Sequence, residues 1–172
     1  TRFFINAERY LGRRSDAIIA ISEQQKKELV HDFKIAPEEK FRVVPLGFDL
    51  DRFRTNQQEK RKKFRTEFGV SDDEIAIGII GRLVPVKNHY LFLKAIRYVL
   101  DHSNKKIKAF IIGDGETRAD LENMAREVNI RFSTEKDASH PHPLVFTSWR
   151  GDVDVINAGL DIVCLTSFNE GT

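Results

Sequence analysis

Two polar clusters stand where apolar runs end, and both carry side chains suited to holding an anion. Ile75 to Ile80 empties into Gly81-Arg82-Leu83-Val84-Pro85-Val86-Lys87, and Ile162 to Thr166 empties into Ser167-Phe168-Asn169-Glu170-Gly171-Thr172. Arg82 offers a planar fork of donors that matches phosphate oxygens, while Lys87 adds a compact charge that can follow a leaving group. Their separation lets a short turn bring both beneath one anionic group, and a helix starting near Asn88 would add its amino-terminal N–H groups. This is the chemistry of a diphosphate site, although the same pair could be ordinary surface cations of a strand-to-helix loop. Glu170, beside Gly171, can accept hydrogen bonds from sugar hydroxyls where bare backbone approaches a ligand, or it can be a turn carboxylate facing water. It gains weight only from sharing a sheet edge with the two cations.

Positioning these residues requires strands that end at one edge. Ile75 to Ile80 and Ile162 to Thr166 both read as strands fully buried in a parallel sheet, and ligands of such sheets bind beyond the carboxyl ends of the strands. From Ile75 the order is strand, helix, strand, helix, strand, helix, strand. That order predicts an α/β fold, a Rossmann-like parallel sheet with right-handed crossovers and flanking helices. Phe92, Ile96 and Val99 share one face of the first helix, and Leu121, Met124, Ala125 and Val128 follow the helical period on the second. Ile107 to Ile112 and Leu144 to Thr147 supply the intervening strands. The polar stretch from Ser133 to Pro143 reads as a surface loop.

Upstream, Ala17 to Ile21 is predicted to be a strand, closed by Ser22, which caps a helix running to about Phe33 while Gln25 reaches back. Phe41 to Pro45 is a second strand, and Leu46-Gly47-Phe48-Asp49 turns out of it. Arg54 to Arg65 is long, polar and basic, with no apolar face until Phe64 and Phe68, and reads as a linker with a solvated helix. No internal repeat is visible.

Composition narrows the classes. The 172 residues are 41% hydrophobic and 31% charged, which suits a globular chain with a sizeable core. Twenty-eight basic against 26 acidic residues give a net charge of +2, which argues against a strongly basic nucleic-acid binder. The run from Lys60 to Arg65 reads more simply as a solvated helix face. Cys164, the only cysteine, lies in an apolar run and reads as a buried small hydrophobe in a reducing compartment. No stretch approaches the ~20 apolar residues of a membrane span, and no amino-terminal signal is evident. The chain begins at Thr1 and stops at Thr172 just after a strand, so a piece of a longer protein is expected.

Other motifs are weaker. Gly113-Asp114-Gly115 lacks the full dinucleotide pattern and reads mainly as a tight turn. Trp149, with Ser148 before it and Arg150-Gly151 after, could wall a nucleobase; a tryptophan packed at the rim fits equally well. His140 and His142 flank Pro141 without further ligands, so no metal site is expected there. His102 ends a helix, where the dipole favours it.

Taken together, the chain resembles the retaining nucleotide-sugar glycosyltransferases of family four, which have the GT-B fold of two facing Rossmann-like domains. The resemblance is carried by Asp16-Ala17-Ile18-Ile19-Ala20-Ile21-Ser22, Val43-Val44-Pro45-Leu46-Gly47-Phe48-Asp49, Gly81-Arg82-Leu83 with Lys87, Ile112-Gly113-Asp114-Gly115, Phe146-Thr147-Ser148-Trp149 and Ser167-Phe168-Asn169-Glu170-Gly171, in that order along the whole chain. Two departures stand out. Leu46 occupies a position where asparagine is frequent in the family, and Ser148 one where glycine is frequent.

The resemblance implies that residues 1–46 end the acceptor-side domain, 47–73 form a linker, and 74–172 form most of a truncated donor-binding domain. It implies that Arg82 and Lys87 bind the donor diphosphate without a metal or other cofactor and that Glu170 contacts the sugar. Gly81, Ser148, Trp149, Gly171 and Thr172 would complete the donor site. A second glutamate, for the ribose, would lie past Thr172. The partners implied are a nucleoside diphosphate sugar and an acceptor that is a lipid-linked glycan, a polysaccharide or a small molecule, and no nucleic acid. The implied place is the cytoplasm, with peripheral association at the inner face of a membrane through the absent amino-terminal domain. A sugar-nucleotide epimerase of the same fold and a non-catalytic nucleotide-binding module are the competing classes. A receiver-like module would need acidic residues at strand ends, and Ile75 to Gly81 offers none.

Overall fold

The computed structural model describes residues 2–134 and 142–170. They divide into two units, one running to Asp49 and including Glu170, the other spanning Leu50–Asn169.

In the first unit, helix α1 (Arg2–Arg14) precedes strand β1 (Ile18–Ala20), helix α2 (Glu23–Lys27) and strand β2 (Phe41–Val43). β1 and β2 pair in parallel, Ile18 opposite Phe41 and Ala20 opposite Val43. The predicted cap is present. Ser22 Oγ accepts from the Gln25 N–H at 3.1 Å, and the Gln25 side-chain oxygen accepts in return from Ile21 N–H at 2.8 Å, one residue earlier than in a strict capping box. α2 widens into a π turn over Glu28–Asp32, closed by Phe33 N–H bonding to Glu28 O. Ala20, Ile35 and Phe41 form a small core, and the Lys40 ammonium donates to the carbonyls of Gly12, Arg13 and Ser15, neutralising the negative end of α1.

The second unit holds a five-stranded, wholly parallel sheet in the order β5-β6-β4-β3-β7. Its strands are β3 (Glu74–Ile80), β4 (Lys106–Ile112), β5 (Phe132–Thr134), β6 (Leu144–Phe146) and β7 (Ile162–Cys164). Alternation along β4 explains the layers. Ile107, Ala109 and Ile111 join a core built with Phe92, Leu93 and Ile96 of α5 (His89–His102) and Leu121 and Ala125 of α6 (Arg118–Glu127). Phe110 and Ile112, on the opposite face, join Phe64 and Phe68 beside Val155 and Ile156 of α7 (Val153–Gly159). The helical faces predicted for α5 and α6 are those that are buried.

Three expectations change. The basic segment after Phe53 is not solvated on all sides: it starts at the end of α3 (Asp51–Arg54) and runs into α4 (Gln57–Glu67), and α4 covers one face of the sheet. Phe64 meets α7 so closely that a Cβ on Gly159 would lie 2.2 Å from its ring, and two large aromatics replace the usual apolar stripe. Lys108, buried on this same face of β4, donates to the Phe68 carbonyl at the end of α4. Second, Phe132–Thr134 is the outer strand of the sheet with Ser133 buried, where a surface loop was predicted from Ser133. Third, among the described residues β7 pairs only with β3, and Ile162 and Val163 are 47% and 52% exposed where full burial was expected, with Cys164 half-buried.

Candidate functional site

The strand order reverses at β3. The chain moves from β3 to β4, outward to β5 and back one place to β6, then crosses through α7 to place β7 on the other side of β3. In open parallel sheets the crevice at such a reversal is where ligands settle. The loops leaving β3 and β7 therefore define the candidate site.

Leu83 plugs the first loop into the core, which leaves Arg82 exposed and Lys87 half-buried. The loop rests on the turn after β4. Gly81 N–H donates to Ile112 O at 3.0 Å, Leu83 N–H to Asp114 O at 2.9 Å, and Thr117 N–H to Leu83 O at 3.1 Å. Gly113 adopts φ +141°, and a Cβ there would stand 2.0 Å from the Gly81 carbonyl oxygen. The Gly-Asp-Gly segment is thus a turn, and it is also the seat that fixes Arg82. Beyond it, Pro85–Lys87 form a 3-10 turn, Asn88 adopts φ +50°, and α5 starts at His89 without a side-chain cap. The first amides of α5 thus lie beside Lys87.

The segment after β7 is bound to this same turn. The Thr166 hydroxyl lies 3.0 Å from Lys87 O and 2.9 Å from Asn88 O, and Phe168 N–H donates to Val86 O at 2.9 Å. Gly81, Arg82 and Lys87 are thereby gathered on one loop, with Ser167 joined to it. Glu170, two residues beyond Phe168, is exposed and falls in the first unit. Gly171, Thr172 and the pair His140-Pro141 lie outside the described residues.

Ser148 and Trp149 follow β6, at the same carboxyl edge and two strands from β3, about 10 Å at ordinary strand spacing. Trp149 is 74% exposed, which overturns the packed-rim alternative. The backbone around it is fixed from both sides. Arg118 donates to Thr147 O at 2.7 Å, and Arg150 bridges Glu67 of α4 and Asp152, with its guanidinium 5.4 Å from the Phe68 ring. The Asp152 carboxyl is held below its ordinary pKa by the Arg150 hydrogen bonds, and Arg150 is raised by Asp152 and Glu67.

Sequence reasoning missed the roles of His89, Thr166 and Arg118, and it named Arg150 beside Trp149 without foreseeing its bridge to Glu67 and Asp152. No cluster of three or more histidine, cysteine or acidic residues capable of holding a metal occurs among the described residues.

Residues 60–172 match the family model for Glycosyl transferases group 1, and residues 1–52 match that for Glycosyltransferase Family 4. The chain belongs to the group 1 glycosyl transferases. Over 167 residues it is 25% identical to the UDP-Gal:alpha-D-GlcNAc-diphosphoundecaprenol alpha-1,3-galactosyltransferase of Escherichia coli, covering 95% of this chain and 40% of that protein. A D-inositol 3-phosphate glycosyltransferase of Corynebacterium jeikeium is 27% identical, over 95% of this chain and 38% of the relative. The Anabaena Alr3699/HepE structure in complex with UDP-glucose superimposes with a TM-score of 0.74 at 19% identity, over 97% of this chain and 43% of that one. The fold is accordingly of the GT-B type, and this group 1 chain spans about two fifths of the length of the relatives named.

Proposed function

We propose that this chain is the donor-binding part, together with the end of the acceptor-side part, of a family-four glycosyltransferase. It moves a sugar from a nucleoside diphosphate sugar to an acceptor with retention of configuration, in glycan or polysaccharide biosynthesis. Residues 1–46 would belong to the acceptor side, 47–73 to the link and 74–172 to the donor side. The observation that carries the reading is the Gly81–Lys87 loop. It presents two cations and an uncapped helix start at the reversal point of a parallel sheet, and it is tied to the segment that leads to Glu170.

In this mechanism Arg82 and Lys87 hold the diphosphate, and Glu170 contacts the sugar, with the backbone of Gly171 and Thr172 beside it. The bond from the anomeric carbon to the phosphate oxygen breaks, which builds negative charge on the departing diphosphate. Preorganised cations stabilise that charge most strongly as it develops. The acceptor hydroxyl forms the new bond on the leaving-group side and passes its proton to the departing diphosphate oxygen. Ser148 and Trp149 wall the base. The names of the Escherichia coli relative and of the Anabaena complex make uridine the first base to test. The acceptor reading covers lipid-linked glycans, polysaccharides and small molecules. Work at the cytoplasmic face of a membrane would use the rest of the protein for attachment, since no described helix is long and apolar enough to cross a bilayer.

The test is transfer by the full-length protein, with product configuration read by NMR. Arg82→Ala should slow transfer ~100-fold or more, as for the loss of an electrostatic transition-state donor. Near-normal turnover would refute the assignment, and sugar conversion without any acceptor would favour the epimerase.

A further inference from the structure

Buried polar groups are almost always paired, so an unpaired one demands an explanation. His89 is 1% exposed, yet neither ring nitrogen has a hydrogen-bond partner. Ser167 Oγ is likewise buried and unpartnered. The two stand on opposite sides of a single seam. His89 directly follows Asn88, whose carbonyl receives the Thr166 hydroxyl, and Ser167 lies between Thr166 and Phe168, the residues that bind the Val86–Asn88 turn.

Their chemistry is complementary. A neutral imidazole has one donor and one acceptor, and a hydroxyl can be either. Burial, and then the charge of Lys87, push the His89 pKa down, so the ring stays neutral and adds no charge to the site. Because none of these atoms reaches solvent, the pair does not touch a ligand directly.

Resting on the donor-binding reading above, we infer that His89 and Ser167 are positioning residues that pair across this seam when a nucleotide sugar is bound, locking the segment after β7 against the Lys87 turn. In the arrangement described both groups bear the cost of burial without a bond. Closing the bond adds differential affinity to the donor-bound arrangement and to no other. This explains why two polar groups are kept where apolar ones would pack.

Calorimetric titration of the chain with UDP-glucose, and with GDP-mannose and ADP-glucose as further probes, tests the pair. His89→Leu and Ser167→Ala should each weaken binding about 2- to 10-fold, the worth of one net hydrogen bond, and the double variant should be no weaker than the weaker single. The ligand-free melting point of His89→Leu should rise, and His89→Gln and Ser167→Thr should recover affinity. Wild-type affinity in both single variants, or losses that multiply in the double variant, would overturn the inference. Should His89→Leu not fold, Ser167→Ala against Ser167→Thr carries the same decision. If no probe binds the wild type, or Arg82→Ala binds as well as wild type, the donor reading itself fails. If Arg82→Ala loses affinity while His89→Leu and Ser167→Ala do not, only the latch fails.

Discussion

Truncating Arg82 removes the one fork of donors that the Gly81–Leu83 loop carries outward, while Leu83 keeps its buried place, so the variant should fold normally and lose donor grip. His89 supplies a second expectation at the same loop. Its folded-state pKa is depressed below the ordinary 6.5. The unfolded chain therefore binds a proton that the folded chain refuses, and stability should fall as pH drops below about 6.5, with no contribution above it. Urea titrations between pH 5 and 8 should show this loss in the wild type and a reduced one in His89→Leu; equal slopes would remove the buried neutral ring. The placement of Arg82 and Lys87 on one loop after β3 was legible in the sequence because a buried strand running into a polar, glycine-led cluster is a local pattern. His89 was not, since a histidine on an apolar helix face reads the same whether or not its nitrogens are satisfied. Trp149 was ambiguous for the same reason, because exposure is set by the packing of α4 and α6 around its backbone.

Two elements hold the loop in place, and each can be tested. Gly113→Ala forces a Cβ against the Gly81 carbonyl at a φ of +141° that L-residues rarely adopt. It should cost more than about 1 kcal/mol in urea denaturation and weaken nucleotide-sugar binding as the seat shifts. Wild-type stability and affinity in the Gly113→Ala variant would deny that the turn supports the loop. Phe64→Ala should cost about 3–5 kcal/mol, because the ring is fully buried between α7 and the sheet. A loss below about 1 kcal/mol would restore the solvated-helix reading of α4. That helix was misread because a basic stretch with two aromatics near its end lacks the repeating apolar stripe by which packed helices are recognised. The buried faces of α5 and α6, with regular stripes, were legible. Strand β5 was hidden because Phe132–Thr134 is short and merges into the polar stretch that follows, and parallel edge pairing depends on β6 rather than on any local pattern.

The molecule is a five-stranded parallel sheet with a small two-stranded unit beside it in sequence, and the chain spans 40% of the Escherichia coli relative. The parallel α/β class was legible because strands and helices alternate, which admits few topologies. The place of β7 beside β3 was not, because an apolar run reads the same whichever strand lies beside it. On the proposed reading donor capture falls to the second unit, whereas transfer also needs an acceptor positioned for attack. The chain alone should therefore bind a nucleotide sugar weakly and transfer little, and robust transfer by it would contradict that division. The most direct test of the central claim is a calorimetric titration of the chain with UDP-glucose and its GDP and ADP counterparts, for wild type, Arg82→Ala and Lys87→Ala. Saturable binding of at least one donor, weakened tenfold or more by either substitution, is the expected result, since bonds to charged groups contribute about 1.5–3 kcal/mol. Equal affinity across the three proteins would contradict it.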